Sequence, residues 1–293
     1  MNKWLYSFLV VVTTSLMGSS FTIGKIGLNY TTPLMLVALR FLLAGILMAL
    51  ITKALKIKHP TKLSDWMKIA LIGFFQTACV MGFIFISLRT IPSGQTSTLT
   101  FMNPLFVVIF GTLFMKITYH RRQWFGVALG FSGVMITLGA QIHLKIGIVY
   151  GFLSAIAWAI GTLLIKHWGT SLNTWVLTAY QMLCGGVILF ISSFIIETPH
   201  FKVTATSISI LLWLGIMASI VQFAIWFYLL EIGDAGKTSA FLFLAPFFGV
   251  LTGWLLLDEL MNWYVILGGT CIFIGIFMVN WIPQKKIGKS YTS

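Results

Sequence analysis

The chain has 293 residues, of which 58% are hydrophobic and only 9% charged, with a mean hydropathy of +0.97. A soluble domain needs about 25% charged residues to dress its surface, so no soluble domain fits beside the apolar runs. The net charge of +13 does not point to nucleic acid. Apart from Arg40, the Lys and Arg residues lie in short loops between apolar runs or at their ends, with no basic helix and no interleaving of basic and aromatic residues.

A bilayer core takes about 20 apolar residues per helix. Read in chain order as apolar runs bounded by charge, Pro or polar clusters, the predicted spans are 5–24, 33–52, 67–88, 94–114, 122–140, 147–165, 173–193, 208–230, 236–256 and 262–281. The fold class is therefore all-α integral membrane, with ten transmembrane helices. A β-barrel is excluded because its strands alternate apolar and polar residues, whereas these runs are apolar all round. The first run, after Lys3 and ending in Gly18-Ser19-Ser20, has the outline of a secretory signal peptide; the internal symmetry described below makes it the first true span. Residues 282–293, with Lys285, Lys286 and Lys289, read as a short basic cytoplasmic tail.

Loop charge sets an expected orientation. With both termini on one side, that side receives Lys3, Lys53, Lys56, Lys58, Lys62, Lys68, Lys116, Arg121, Arg122, Lys166, Lys237, Lys285, Lys286 and Lys289. The other receives only Lys25, Arg89, Lys145 and Lys202. Both termini are expected in the cytoplasm, in a multi-pass protein of the cell membrane.

The chain also repeats itself. At a constant offset of 142, Gly73, Phe85, Gly94, Thr96, Ser97, Phe101, Pro104, Gly111, Gly126 and Gly133 match Gly215, Phe227, Gly236, Thr238, Ser239, Phe243, Pro246, Gly253, Gly268 and Gly275. At 141, Lys25, Leu36, Ala38 and Gly45 match Lys166, Leu177, Ala179 and Gly186. Chance similarity between apolar segments yields Leu and Phe matches, but not paired Gly and Pro at one offset. Residues 1–140 are expected to be one five-helix repeat and 147–281 a second. Five is odd, so the second copy must enter the membrane from the opposite side. Inverted repeats are the construction many secondary transporters use for alternating access around a midplane site.

The repeated segments carry a family resemblance. Gly94-Gln95-Thr96-Ser97 followed by Phe101-Met102-Asn103-Pro104-Leu105-Phe106 resembles the fourth-helix signature of EamA-type transporters of the drug/metabolite transporter superfamily. Ala235-Gly236-Lys237-Thr238-Ser239-Ala240 with Ala245-Pro246 reads likewise. Trp124-Phe125-Gly126 with Gly130 and Gly133 is similar to their fifth helix, Met17-Gly18-Ser19-Ser20-Phe21 to their first and Ala38-Leu39-Arg40-Phe41 to their second. The resemblance implies a cavity lined mainly by helices 1, 3, 4, 6, 8 and 9, and export of amino acids or other small metabolites. One departure is visible: where the family often has an acidic residue after the fourth helix, this chain reads Met115-Lys116-Ile117-Thr118, while the second copy keeps Asp258-Glu259.

An ionisable residue inside a span is a functional candidate by default. The carboxylates Asp65, Glu197, Glu231, Asp234, Asp258 and Glu259, and the histidines His59, His120, His143, His167 and His200, all fall in loops or at span ends. That disfavours proton exchange on an embedded carboxylate. Arg40 is the one charge well inside a run, and two readings stand for it: a seat for a substrate carboxylate or a gate between helices 1 and 2, and a structural Arg that snorkels or caps carbonyls. Its repeat partner is the uncharged Gln181. Pro104 and Pro246 each remove a backbone hydrogen bond and are expected to kink their helices, for cavity shape or for packing alone. The polar and amphipathic candidates for the cavity are Ser19, Ser20, Gln76, Asn103, Trp158, Thr162, Gln222 and Trp226, because lipid-facing polar side chains are unfavourable; any of them can equally be helix–helix glue. Gly126, Gly130 and Gly133, with Gly268, Gly269 and Gly275, place small residues on one face of the fifth and tenth spans, suited to intrachain packing or a dimer contact.

Cys79, Cys184 and Cys271 lie in apolar runs with no CxxC pair, as packing residues. No Walker loop, dinucleotide fingerprint, HExxH or GxSxG is present, and no cofactor or metal is expected. The sequence reads as a secondary transporter exporting a small organic solute, an amino acid or related metabolite. Its expected partners are that solute and the lipid bilayer, with no nucleic acid, and the protein is expected as a monomer or homodimer. The competing readings are a multidrug efflux carrier and a membrane enzyme acting on a lipid-linked substrate.

Overall fold

The computed structural model describes residues 3–138, 145–169, 172–232, 241–260 and 263–280. Hydrocarbon offers no partner to a bare peptide group, so apolar runs of this length close their hydrogen bonds internally as helices. In chain order they are α1 (Lys3–Gly27), α2 (Pro33–Ala54), α3 (Leu63–Leu88), α4 (Ser93–Met115), α5 (Arg121–Leu138), α6 (Ile146–Trp168), α7 (Thr174–Ile196), α8 (205–232), α9 (Leu244–Leu257) and α10 (Trp263–Asn280). Pro33 opens α2 at its first turn, where its missing N–H costs nothing. Asn173 caps α7 by accepting from Trp175 N at 3.0 Å, and Thr204 and Ser207 cap α8 reciprocally.

Seven of these helices (α1–α4 and α6–α8) are long and apolar enough to cross a bilayer. Among the described residues the other three do not reach that length and hydropathy. Arg121, Arg122 and Gln123 occupy the first turn of the 18-residue α5, while the apolar parts of α9 and α10 are shorter, Leu244–Leu257 and Ile266–Val279. Residues 236–240 of the expected ninth span and the 282–293 tail lie outside the described residues. Large apolar side chains cover the outside, among them Phe114 and Ile195, each 78% exposed. Such a surface is stable only against lipid.

Equivalent helices of the two halves pack on each other, antiparallel. On α2 and α7, Gly45 lies against Leu183 and Gly186 against Phe41 and Leu42. On α5 and α10, a Cβ at Gly126 would sit 2.7 Å from the Gly275 carbonyl, and one at Gly133 2.6 Å from that of Gly268. The small faces thus serve packing within the chain, although Gly269 meets nothing within 4 Å. Between these pairs, α1 packs on α9 and α8, as α6 packs on α4 and α3.

The repeat extends to irregularities of the backbone. Both α3 and α8 widen into π-helix, over Phe74–Cys79 and Trp213–Val221. α4 breaks at Phe101 and Met102, just before Pro104, and a 3₁₀ turn, Phe241–Phe243, precedes α9 and Pro246. α4 and α9 stop alike: Lys116 and Asp258 take left-handed conformations (φ 51° and 50°), and the next N–H returns to the carbonyls of Gly111 and Gly253. Glu259 and Ile117 therefore occupy the same place in one turn, 142 positions apart.

Candidate functional site

A cavity opens where α1, α2, α3, α6, α7 and α8 face one another at mid-length, closed on one side by Phe101 at the break of α4. Its walls are mostly apolar. Phe21, Phe101 and Trp158 form one continuous aromatic face, with ring centroids 5.9 Å and 5.4 Å apart. The space left to the centre of a water-sized sphere is about 60 Å³, a few such spheres' worth, so the cavity is narrow.

Against this apolar lining stand a few polar groups. Ser20, Gln76, Arg40 and Gln222 of the sequence-predicted residues, with Trp158, line the cavity. Gln76 and Gln222 sit in or next to the π segments, where an irregular turn re-aims side chains and frees carbonyls. Gln76 Oε1, Gln181 Oε1 and Gln222 Nε2 are buried with no hydrogen-bond partner among the described residues. Leaving such groups unpaired costs about 1–3 kcal/mol each; Gln76 Oε1 packs against Gly161 of α6, and the other two, on residues of one lining, mark a place for a polar ligand.

Arg40 is 3% exposed. Its Nε donates to Ser219 Oγ and its Nη2 to the Ala218 carbonyl, both at 2.9 Å, and its Cζ lies 4.9 Å from the Phe41 ring centre. It joins α2 to the π segment of α8, a different pair from the helices 1 and 2 expected from sequence. Ser219 Oγ in turn donates to the Leu214 carbonyl at 2.9 Å.

The remaining predicted residues lie apart from the lining. Ser19 donates to the Ser15 carbonyl at 2.6 Å within α1. Asn103 and Trp226 are buried, and Thr162 is half-buried, without lining the cavity. Pro104 starts the second half of α4, and Pro246 lines a separate groove with Thr98 and Thr270 between α4, α9 and α10. The family resemblance implied a lining from helices 1, 3, 4, 6, 8 and 9. Here α2 and α7 also contribute, while no described residue of α9 does. Gln181 was visible in sequence only as the repeat partner of Arg40.

One end of the bundle is closed by a second polar cluster. Glu259 accepts from Ser93 N at 2.6 Å, Ser93 Oγ at 3.0 Å, Gly94 N at 3.1 Å and Lys25 Nζ at 3.0 Å. It thereby neutralises the positive start of α4 and satisfies N–H groups that the helix cannot. Beneath it, Thr22 links Ser93 at 3.2 Å and Thr252 at 2.8 Å. At the same end Glu197 accepts from Leu34 N at 3.1 Å, and Lys202 N donates to the Tyr30 carbonyl at 2.8 Å. All of these except the Thr22–Ser93 bond join the first half to the second. Among the described residues, no group of three His, Cys, Asp or Glu side chains is placed to hold a metal.

Comparison with known proteins fits this arrangement. The model of the EamA-like transporter family matches twice, over residues 4–139 and 145–281. The chain belongs to the EamA-like transporter family. It is a multi-pass membrane transporter with an internal repeat, and not an enzyme. Among relatives, an uncharacterized transporter of Bacillus subtilis, YvbV, is 27% identical over 94% of this chain and 90% of its own length. A protein of Escherichia coli named a probable amino-acid metabolite efflux pump is 26% identical over 96% of this chain and 97% of its own. A solved crystal structure superposes with a TM-score of 0.67 over 95% of this EamA-like chain and 98% of that one, at 16% identity, a likeness of fold alone.

Proposed function

We propose that this chain is a secondary transporter exporting a small organic solute, an amino acid or related metabolite, across the cell membrane by alternating access. Ten spans form two inverted five-helix halves, 1–140 and 147–281, with both termini and the basic 282–293 tail in the cytoplasm. One observation carries the reading: a narrow cavity between equivalent helices of the two halves, lined by three glutamines whose buried Gln76 Oε1, Gln181 Oε1 and Gln222 Nε2 have no hydrogen-bond partner among the described residues. The antiparallel packing of α2 on α7 supports the inversion, and the excess of loop cations on one side supports the orientation. The name of the Escherichia coli relative favours amino-acid metabolites as cargo.

Neither a carboxylate nor an imidazole lines the cavity among the described residues. Facilitated export, substrate exchange, or protonation carried by the solute itself therefore fits better than a proton relay. The narrow space argues against a carrier of large amphiphilic drugs. An enzyme acting on lipid-linked substrates would need free acid groups at one face, whereas Glu259 is tied into helix-capping bonds. The test is solute efflux from proteoliposomes loaded with candidates chosen from a tolerance screen of deletion and overexpression strains. Protein-dependent efflux of at least one amino acid or metabolite is expected. Absence of efflux across the panel, or proton flux that persists unchanged without solute, overturns the reading.

A further inference from the structure

Arg40 presents an imbalance that the protein does not correct. Its two bonded partners, Ser219 Oγ and the Ala218 carbonyl, are both neutral. Among the described residues no carboxylate comes within ion-pair distance of it; the ion pairs there are Lys25–Glu259 and Lys68–Asp65. A guanidinium taken out of water without a counter-ion is strongly disfavoured, so a structural role is a poor reason to keep one here. Pinning α2 to α8 needs only hydrogen bonds, which a Gln or a His could make without charge. Arg40 nevertheless lines the cavity, and its remaining guanidinium N–H groups have no acceptor among the described residues.

The other polar groups of the cavity complete the pattern. Gln222, 3% exposed, lines the same space and has an Nε2 donor with no partner among the described residues. Gln181, 4% exposed, adds an unpartnered Oε1 acceptor, while Gln76 Oε1 packs against Gly161 of α6. Phe21, Phe101 and Trp158 supply an apolar wall. A cation and a donor call for an anionic group, and Arg binds carboxylates in a planar two-bond fit. The Gln181 acceptor calls for a hydrogen-bond donor on the same ligand, and the rings call for an apolar body.

We infer that Arg40 is the seat of the solute's carboxylate, with Gln222 as its second donor, so that the cavity takes small carboxylates in preference to the matching amides and amines. This rests on the transporter reading above, whose cavity it specifies. It also gives the first-half Arg and its second-half partner Gln181 different tasks in one site: one holds the anion, the other accepts from the solute's donor.

The test uses the full chain, purified and reconstituted. Thermal unfolding followed by tryptophan fluorescence measures binding of matched probes: leucine against leucinamide, phenylalanine against phenylalaninamide, and 4-methylpentanoate against isoamylamine. Efflux of the same probes is followed in proteoliposomes, with protein-free vesicles as the leak control. At least one acid is expected to bind about tenfold or more tightly than its neutral or cationic partner, the margin of a charge-assisted hydrogen bond over a neutral one. Arg40→Gln should abolish that preference and Arg40→Lys should keep part of it. Should Arg40→Gln fail to fold, the wild-type preference and Gln222→Leu, expected to weaken acid binding several-fold while amide binding changes little, still decide. Amides or amines binding as well as acids, a folded Arg40→Gln that retains the preference, or no acid binding at all overturns the inference. Acids that bind but never move would leave the carboxylate seat standing and remove the transporter reading instead.

Discussion

The Nζ of Lys25 lies 3.0 Å from Oε1 of Glu259, a residue 234 positions further along the chain. The pair is only part-exposed, and the same carboxylate accepts from the first two N–H groups of α4. It thus binds the end of α1 and the start of α4 to the turn after α9. Its repeat counterpart, Ile117, sits in the same left-handed stop with no carboxylate to offer. Of the two matching turns, only the one after α9 thus carries a carboxylate to tie helices together.

Replacing Glu259 by Gln removes the charge while keeping the shape. The expected result is a loss of about 1–3 kcal/mol of closure at that end. A cysteine introduced at Thr22, fully buried beneath the cluster, should react roughly tenfold faster with a membrane-impermeant maleimide in the E259Q background. Equal labelling rates in the two backgrounds would show that the contact does not hold this end shut.

The α5–α10 contact makes a paired prediction about packing. Gly126→Ala places a methyl 2.7 Å from the Gly275 carbonyl, and backbone cannot step aside as a side chain can. A destabilisation of about 1–3 kcal/mol is expected, read as a lower unfolding temperature in detergent. Gly269→Ala, on the partner helix α10 but facing open space, should stay within about 0.5 kcal/mol of the parent.

Loss of the α7 cap is simpler. Asn173 Oδ1 serves the N–H groups of Trp175 and Val176, and Asn173→Ala should cost about 1 kcal/mol. Asn173→Asp, which keeps the acceptor, should restore the unfolding midpoint; failure of that rescue would mean the side chain acts otherwise.

Ser219 tests the link between α2 and α8. Ser219→Ala deletes both the acceptor for Arg40 Nε and the bond to the Leu214 carbonyl. A cost of roughly 1–2 kcal/mol is expected, and a double-mutant cycle with Arg40→Lys should show coupling above about 0.5 kcal/mol. Strict additivity would count against a shared contact.

These features were unequally visible in the sequence. Glycines that match at an offset of 142, such as Gly126 with Gly268 and Gly133 with Gly275, disclosed the duplication. The actual contacts cross over, Gly126 meeting Gly275 and Gly133 meeting Gly268, as antiparallel packing requires. What could not be read was rotational phase. Each residue advances a helix by about 100°, and a run that is apolar all round gives no sign of which face looks inward. Ser20 lines the cavity and its neighbour Ser19 does not; Gln181 lines it and Asn103 does not. The Glu259 cluster was illegible for another reason: it joins residues 166 positions apart, and nothing local in either segment announces the partner.

The widened turns of α8 bear on how this transporter tolerates changes of length. A π turn is a helix carrying one residue more than its flanks require, and in α8 the carbonyls of Leu214, Ala218 and Gln222 are taken up by the side chains of Ser219, Arg40 and Thr13. Shortening the 213–221 stretch by one residue would let the helix return to ordinary winding with the flanking faces still in phase. The same deletion in a regular helix would turn every later side chain by about 100°. The extra residue is thus a site where the gene can lose a codon without scrambling the bundle, at the cost of the acceptor that now holds Arg40.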